Sequence, residues 1–148
     1  MSDTRDLYQQ VILDHNRRPR NCYVMDCANR SADGHNPLCG DTVKVYLKID
    51  DGVIQEISFQ GSGCAICTAS CSLMTEAVQG KTVEEATALF EGFHDMLTGV
   101  AREQGLGLGK LRVFEGVREY PVRVKCATLA WHTLKAALED QDRPVSTE

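Results

Sequence analysis

The chain has 148 residues, 43% of them hydrophobic and 25% charged, the size and usage of one globular domain able to bury its own core. A formal net charge of -5 gives no global basic field for nucleic acid, and no apolar run approaches the roughly 18 residues of a membrane span. The start, "MSDTRDLYQQ", has no apolar h-region, so the expectation is a single cytoplasmic domain over 1–148, with no nucleic acid and no membrane among its partners.

The first predicted element is a helix over 4–17. Leu7, Val11 and Ile12 share a stripe with Tyr8 and His15 close to it, and Arg17 and Arg18 precede the stop at Pro19. Residues 19–38 are rich in Pro, Asn, Asp and Gly and read as loop, with one short edge strand near Ala28 to Ala32. "DTVKVYLKI" alternates, with Val43, Val45, Leu47 and Ile49 on one face, and predicts a half-buried strand. "DDG" turns the chain into "VIQEISFQ", an antiparallel partner whose buried candidates are Val53 or Ile54, Ile57 and Phe59.

Gly61 and Gly63 break that strand. A helix is predicted from Cys64 to about Gln79, with Gly80 as its C-cap. "TVEE" fits a capping box, Thr82 with Glu85, opening a helix that runs to about Leu97. Residues 98–122 are glycine-rich, with a short helical turn around Leu108 to Phe114. A last helix runs from about Cys126 to Leu138, and 139–148 is a frayed polar tail. The order predicts an α+β fold, a small antiparallel sheet with helices packed on one face.

Seven cysteines is a high and odd number for a chain whose thiols are expected to stay reduced. Cys39, in "NPLCGD", is followed by Gly40 and Asp41, and the glycine lets thiol and carboxylate turn toward one point. The same spacing suits an ordinary turn before a strand. Cys64 and Cys126 each read as opening a helix, where the positive dipole end favours thiolate. Three such thiols and a carboxylate suit a tetrahedral Zn2+; buried cysteines at element junctions are the alternative.

Cys67 and Cys71 fall on the helical stripe 64, 67, 71, 74, 78 and read as small core residues. Their rival is a CxxC redox pair. Cys22 and Cys27 read as incidental loop residues. His15 is expected to be a partnered structural residue, His35 is a weak ligand candidate, and His94 and His132 are placed on helix surfaces.

"LYQQVILDHNRRPRN", "NPLCGD", "GSGCAICTASCSLMTEAVQGK" and "YPVRVKCATLAW" together resemble the IscU/NifU-N family of iron–sulfur biogenesis proteins, from Leu7 to about Leu138. The long segment after the Thr82 helix, and Lys125 where IscU-type sequences usually carry histidine, resemble the SufU branch. The resemblance implies Cys39, Asp41, Cys64 and Cys126 as zinc ligands. It implies a zinc-dependent sulfurtransferase, in which Cys39 accepts persulfide sulfur from the cysteine desulfurase SufS and passes it to the SufBCD complex. The alternative it carries is a scaffold for a transient iron–sulfur cluster on the same residues. Arg123 reads as a cation set behind the ligands or as a surface arginine, and Lys125 as a similar cation or a solvent-facing one. Relatives tend to have serine or alanine where this chain has Cys67 and Cys71.

Overall fold

In the computed structural model, residues 3–37, 40–98, 109–139 and 145–146 are described. Helix α1 (Asp3–Arg17) leads to strands β1 (Arg30–Asn36), β2 (Asp41–Asp50) and β3 (Val53–Ser62). Helices α2 (Ala65–Val78) and α3 (Val83–Thr98), a run of 3-10 turns (Gly109–Glu119) and helix α4 (Pro121–Leu138) follow, and then the two-residue strand β4 (Val145–Ser146). The sheet order is β3-β2-β1-β4. Strand β2 pairs antiparallel with both β1 and β3, and β4 adds to β1 in parallel at Gly34 and His35. Within the stretch expected to be a frayed tail, Val145 and Ser146 instead form β4, because the free edge of β1 offers backbone partners at Gly34 and His35; residues 140–144 and 147–148 lie outside the described residues.

The β2–β3 hairpin closes through Asp51 and Gly52, at φ 55 and 75. A two-residue turn with both residues left-handed matches the twist of the strands it joins, which is why an Asp-Gly pair sits there. The register slips by one residue, from Lys48 opposite Glu56 to Ile49 opposite Ile54. That bulge turns both Ile54 and Ile57 inward although they are three residues apart, and it leaves Val53 half-buried. Val43, Val45, Leu47 and Phe59 fill the same face.

Helices α2 and α4 cover that face, α1 packs against α2, and α3 and the 3-10 turns pack behind α4. Trp131 of α4 is fully buried, with Phe93 stacked at 5.0 Å between ring centroids and Phe114 edge-on to Phe93 at 5.7 Å. On the opposite face Thr42, Lys48 and Gln60 are exposed, while the cross-strand pair Tyr46 and Ser58 is buried. The layering is the expected α+β arrangement with helices on one side.

Several elements differ from the sequence expectation. β1 covers Arg30–Asn36 and lies between β2 and β4, rather than forming an edge near Ala28 to Ala32. Its helix-facing positions are Ala32, Gly34 and Asn36, so no large apolar residue marks the alternation. The small residues are required by proximity: a Cβ on Gly34 would lie 2.1 Å from Thr133 Oγ1 and 3.1 Å from Leu129 Cδ1 of α4. Helix α4, for its part, begins at Pro121, not at Cys126. Its first turn carries exposed Val122 and Arg123, so it shows no apolar stripe, while Pro121 supplies the fixed φ of a first helical position. The predicted turn near Leu108 to Phe114 becomes the 3-10 run Gly109–Glu119, with Leu108 outside the described residues.

Candidate metal centre

Three chain segments converge at one end of the sheet. The register opposes Asn36, the last residue of β1, to Asp41, the first of β2. The connection between them is closed by the Gly40 N–H donating to the Asn36 carbonyl at 2.8 Å, with Gly40 at φ 72. Cys39 rides on this connection and itself lies outside the described residues.

Asp41 is fully buried. Its Oδ1 accepts the Cys64 N–H at 2.9 Å, and its Oδ2 lies 3.9 Å from Cys64 Sγ. The approach requires glycine at 63: a Cβ there would stand 2.5 Å from Asp41 Oδ1. Cys64 is the N-cap of α2, and its sulfur accepts the Cys67 N–H at 3.4 Å. Asp41 therefore holds the same helix end from which Cys64 projects, where backbone N–H groups and the helix dipole favour negative charge.

Cys126 enters from α4. It is buried and is the sixth helical residue, one turn inside the N-terminus, so the dipole argument made from its expected position applies to Cys64 and not to it. The contact that stabilises its sulfur is instead Asn36, fully buried, whose Nδ2 donates to Cys126 Sγ at 3.7 Å. Sequence reasoning did not single out Asn36; the signal available was a polar residue just before the "PLCGD" turn.

Donor atoms of Asp41, Cys64 and Cys126 all lie within 4.8 Å of one another, the single group of three or more His, Cys, Asp or Glu donors so placed among the described residues. A tetrahedron with metal–sulfur distances of about 2.3 Å has edges of about 3.8 Å, so an ion would draw these atoms together by about 1 Å or less. Two soft sulfurs and one carboxylate are a donor set suited to zinc. Glycine at 63 and the buried Asn36 donor add that the pocket is shaped for a carboxylate and a thiolate rather than for apolar filling.

The remaining sequence candidates fall elsewhere. Arg123 is exposed on the first turn of α4 and makes no ion pair among the described residues, and Lys125 is half-buried. Cys67 and Cys71 are buried on the sheet-facing stripe of α2 with Met74 and Val78. Cys22 and Cys27 are exposed, and none of the six described cysteines is in a disulfide. His15 is buried, with Nδ1 2.6 Å from Ser72 Oγ and Nε2 3.7 Å from Glu76. His35 faces solvent on β1. His94 and His132 are half-buried against Phe90 rather than free on the surface, because α3 and α4 pack together there.

Residues 7–127 match the family described as NifU-like N terminal domain. The zinc-dependent sulfurtransferase SufU of Bacillus subtilis is 38% identical over 136 residues, covering 92% of each chain. The iron–sulfur cluster assembly scaffold protein IscU of Streptococcus pyogenes is 40% identical over 139 residues, covering 94% of this chain and 87% of that protein. A crystal structure of FiSufU from Fervidobacterium islandicum, assigned to the SUF system, superposes with a TM-score of 0.83 at 35% identity, covering 87% of this chain and 94% of the other. None of the described helices is long and apolar enough to cross a membrane.

Proposed function

The chain belongs to the NifU-like N-terminal domain family of iron–sulfur cluster assembly proteins, and on that footing we propose that it is a zinc-dependent sulfur acceptor. In this reading it takes persulfide sulfur from the cysteine desulfurase SufS in the cytoplasm and delivers it to SufBCD. The observation that carries the reading is the Asp41–Cys64–Cys126 cluster beside the connection that bears Cys39. Asp41, Cys64 and Cys126 are the ligands supplied by the sheet end, the α2 cap and α4, and Cys39 is the fourth.

Bound zinc would supply a positive centre that keeps thiols deprotonated while damping their reactivity. The chain's own residues divide the remaining work. Asp41 is fixed by the Cys64 N–H and cannot leave without exposing that donor. Cys64 is held at the cap, and Cys126 is buried and hydrogen-bonded by Asn36. Of the four, Cys39 is the thiol that falls in sequence between β1 and β2 rather than at or within a helix, and it is the one assigned to react. Its thiolate attacks the terminal sulfur of the desulfurase persulfide; the sulfur–sulfur bond to the desulfurase breaks and that cysteine leaves as thiolate. Cys39 then carries the persulfide.

The test is desulfurase turnover with cysteine as substrate. Cys39→Ala should abolish the stimulation and the persulfide on the acceptor; full stimulation by this variant refutes the transfer. The likeness to IscU scaffold proteins favours a second reading, a transient iron–sulfur cluster on the same four residues. The two separate on isolation: a colourless protein with about one zinc per chain supports the first, and a brown, cluster-bearing one the second.

A further inference from the structure

Cys67 is not part of the Asp41–Cys64–Cys126 cluster, yet it is tied to it. Its backbone N–H donates to Cys64 Sγ at 3.4 Å. Cys64 is the N-cap of α2, with φ -71 and ψ 170, so Cys67 occupies the third helical position. In a capping box the side chains at the cap and the third position each reach the other residue's backbone N–H, which sets them side by side at the helix end. The next helix of this molecule shows the arrangement: Thr82 Oγ1 accepts the Glu85 N–H at 3.1 Å and Glu85 Oε1 accepts the Thr82 N–H at 3.0 Å. Every helical Cβ tilts toward the N-terminus, so Cys67 leans toward the turn over which the Cys64 sulfur sits.

Exposure is graded along the same line. Cys64 is half-buried at the helix end, whereas Cys67 is 2% exposed. A dissolved reagent reaches Cys64 first and leaves Cys67 to resolve the product. Cys71 lies four residues further, and both it and Cys67 sit inside regular helix. Side chains at that spacing keep their Cβ atoms about 5–6 Å apart, beyond the roughly 3.5–4.5 Å of a disulfide. Cys64 escapes this limit because its backbone is extended, not helical.

We propose that Cys64 and Cys67 form a reversible disulfide, and that the bond withdraws Cys64 from the cluster with Asp41 and Cys126. The second half rests on the metal-site reading above; the bond itself does not. The oxidant is a small disulfide of the glutathione class. The Cys64 sulfur attacks it, forming a mixed disulfide and releasing one thiol. The Cys67 sulfur then attacks the Cys64 sulfur of that adduct, closing the protein disulfide and releasing the second thiol. The two cysteines lose two electrons and two protons, and one small disulfide becomes two thiols.

The rival product is a bond among the clustered thiols themselves, since Cys64 and Cys126 sulfurs also lie within 4.8 Å. Full-length protein, reduced and stripped of metal, is incubated with oxidised glutathione, quenched and mapped by tandem mass spectrometry. Wild type and Cys71→Ser should both show Cys64 linked to Cys67. Cys67→Ser, with Cys67→Ala as a second variant against packing effects, should stop at Cys64 carrying glutathione. A wild-type bond to Cys126 or Cys39 instead, or an intramolecular bond formed as fast in both Cys67 variants, overturns the proposal.

The metal arm compares zinc uptake by reduced and oxidised wild type with a competing chromophoric chelator. Oxidised protein should bind at least roughly tenfold more weakly, since the loss even of an outer partner costs that much, and dithiothreitol should restore it. Full uptake by the oxidised protein overturns the switch. Failure of the reduced protein to take up zinc would defeat the sulfur-acceptor reading and the switch with it, while the disulfide map would still decide the bond.

Discussion

Replacing Gly63 with alanine tests the carboxylate anchor without replacing any candidate ligand. The new Cβ would lie 2.5 Å from Asp41 Oδ1, 3.0 Å from Cγ and 3.2 Å from Cβ. An ordinary carbon–oxygen contact is near 3.2–3.4 Å, so the carboxylate must retreat by about 0.7 Å. Its 2.9 Å bond from the Cys64 N–H then stretches past the useful hydrogen-bond range. A hydrogen bond to a charged group contributes about 1.5–3 kcal/mol, and Asp41 is too buried for water to replace it. A loss of about 2 kcal/mol corresponds to roughly 30-fold weaker zinc binding if it falls on the bound form. On the fold it corresponds to a melting temperature lower by about 4–8 °C. Competition with a chromophoric chelator reads the first, and thermal melts with and without zinc read the second. Gly116→Ala is the control, because a Cβ there meets nothing within 4 Å; it should leave zinc binding unchanged and stability within about 1 kcal/mol of wild type. Gly63→Ala protein that holds zinc within twofold of wild type, at an unchanged melting temperature, refutes the anchoring.

Asp41→Ala should lose zinc on dialysis and melt lower than wild type, because metal binding is coupled to folding; unchanged zinc content removes Asp41 from the ligand set. Thr82→Ala removes one half of the α3 capping box and should cost about 1 kcal/mol with no effect on zinc; thermal melts and the chelator assay check both parts. Burial, and then Arg20, hold the His15 pKa below its ordinary value, against the opposing pull of Glu76 and Asp14. The unfolded chain therefore binds the proton first as pH falls. The stability contributed by neutral His15 is complete above about pH 6.5 and is lost as pH drops toward the lower folded value. Denaturant midpoints of wild type between pH 7.5 and 5.5 should fall more steeply than those of His15→Gln; parallel slopes would remove His15 as the source.

Periodicity was legible wherever an inward face carries large side chains. β2 announces itself through Val43, Val45 and Leu47, and α2 through the stripe that ends in Met74 and Val78. Where the packing demands small or polar residues, the pattern disappears. β1 faces α4 with Ala32, Gly34 and Asn36, because nothing larger fits between the strand and Thr133. The bulge in β3 breaks the period of two, so Ile54 rather than Val53 had to be found from the register with Ile49. The first turn of α4 is exposed, and its signal was proline chemistry rather than hydrophobicity.

The candidate site was legible for a different reason. Thiols and a carboxylate beside glycines mark where chain segments approach closely, and that mark survives in sequence even when element boundaries are misplaced. Cys126 shows this: its predicted place at a helix start was wrong by five residues, yet it still reaches Asp41 and Cys64. What sequence could not supply was the environment that separates one cysteine from another. Cys64 is set apart by a carboxylate clamped to its own N–H, Cys126 by an amide donor from a strand ninety residues away, and Cys67 by a cap bond. Those contacts come from the meeting of a strand end, a helix cap and a helix interior. Under the proposed sulfur-acceptor function they suit Cys64 and Cys126 to holding, and the acceptor role is the one proposed for Cys39, between β1 and β2 in the sequence.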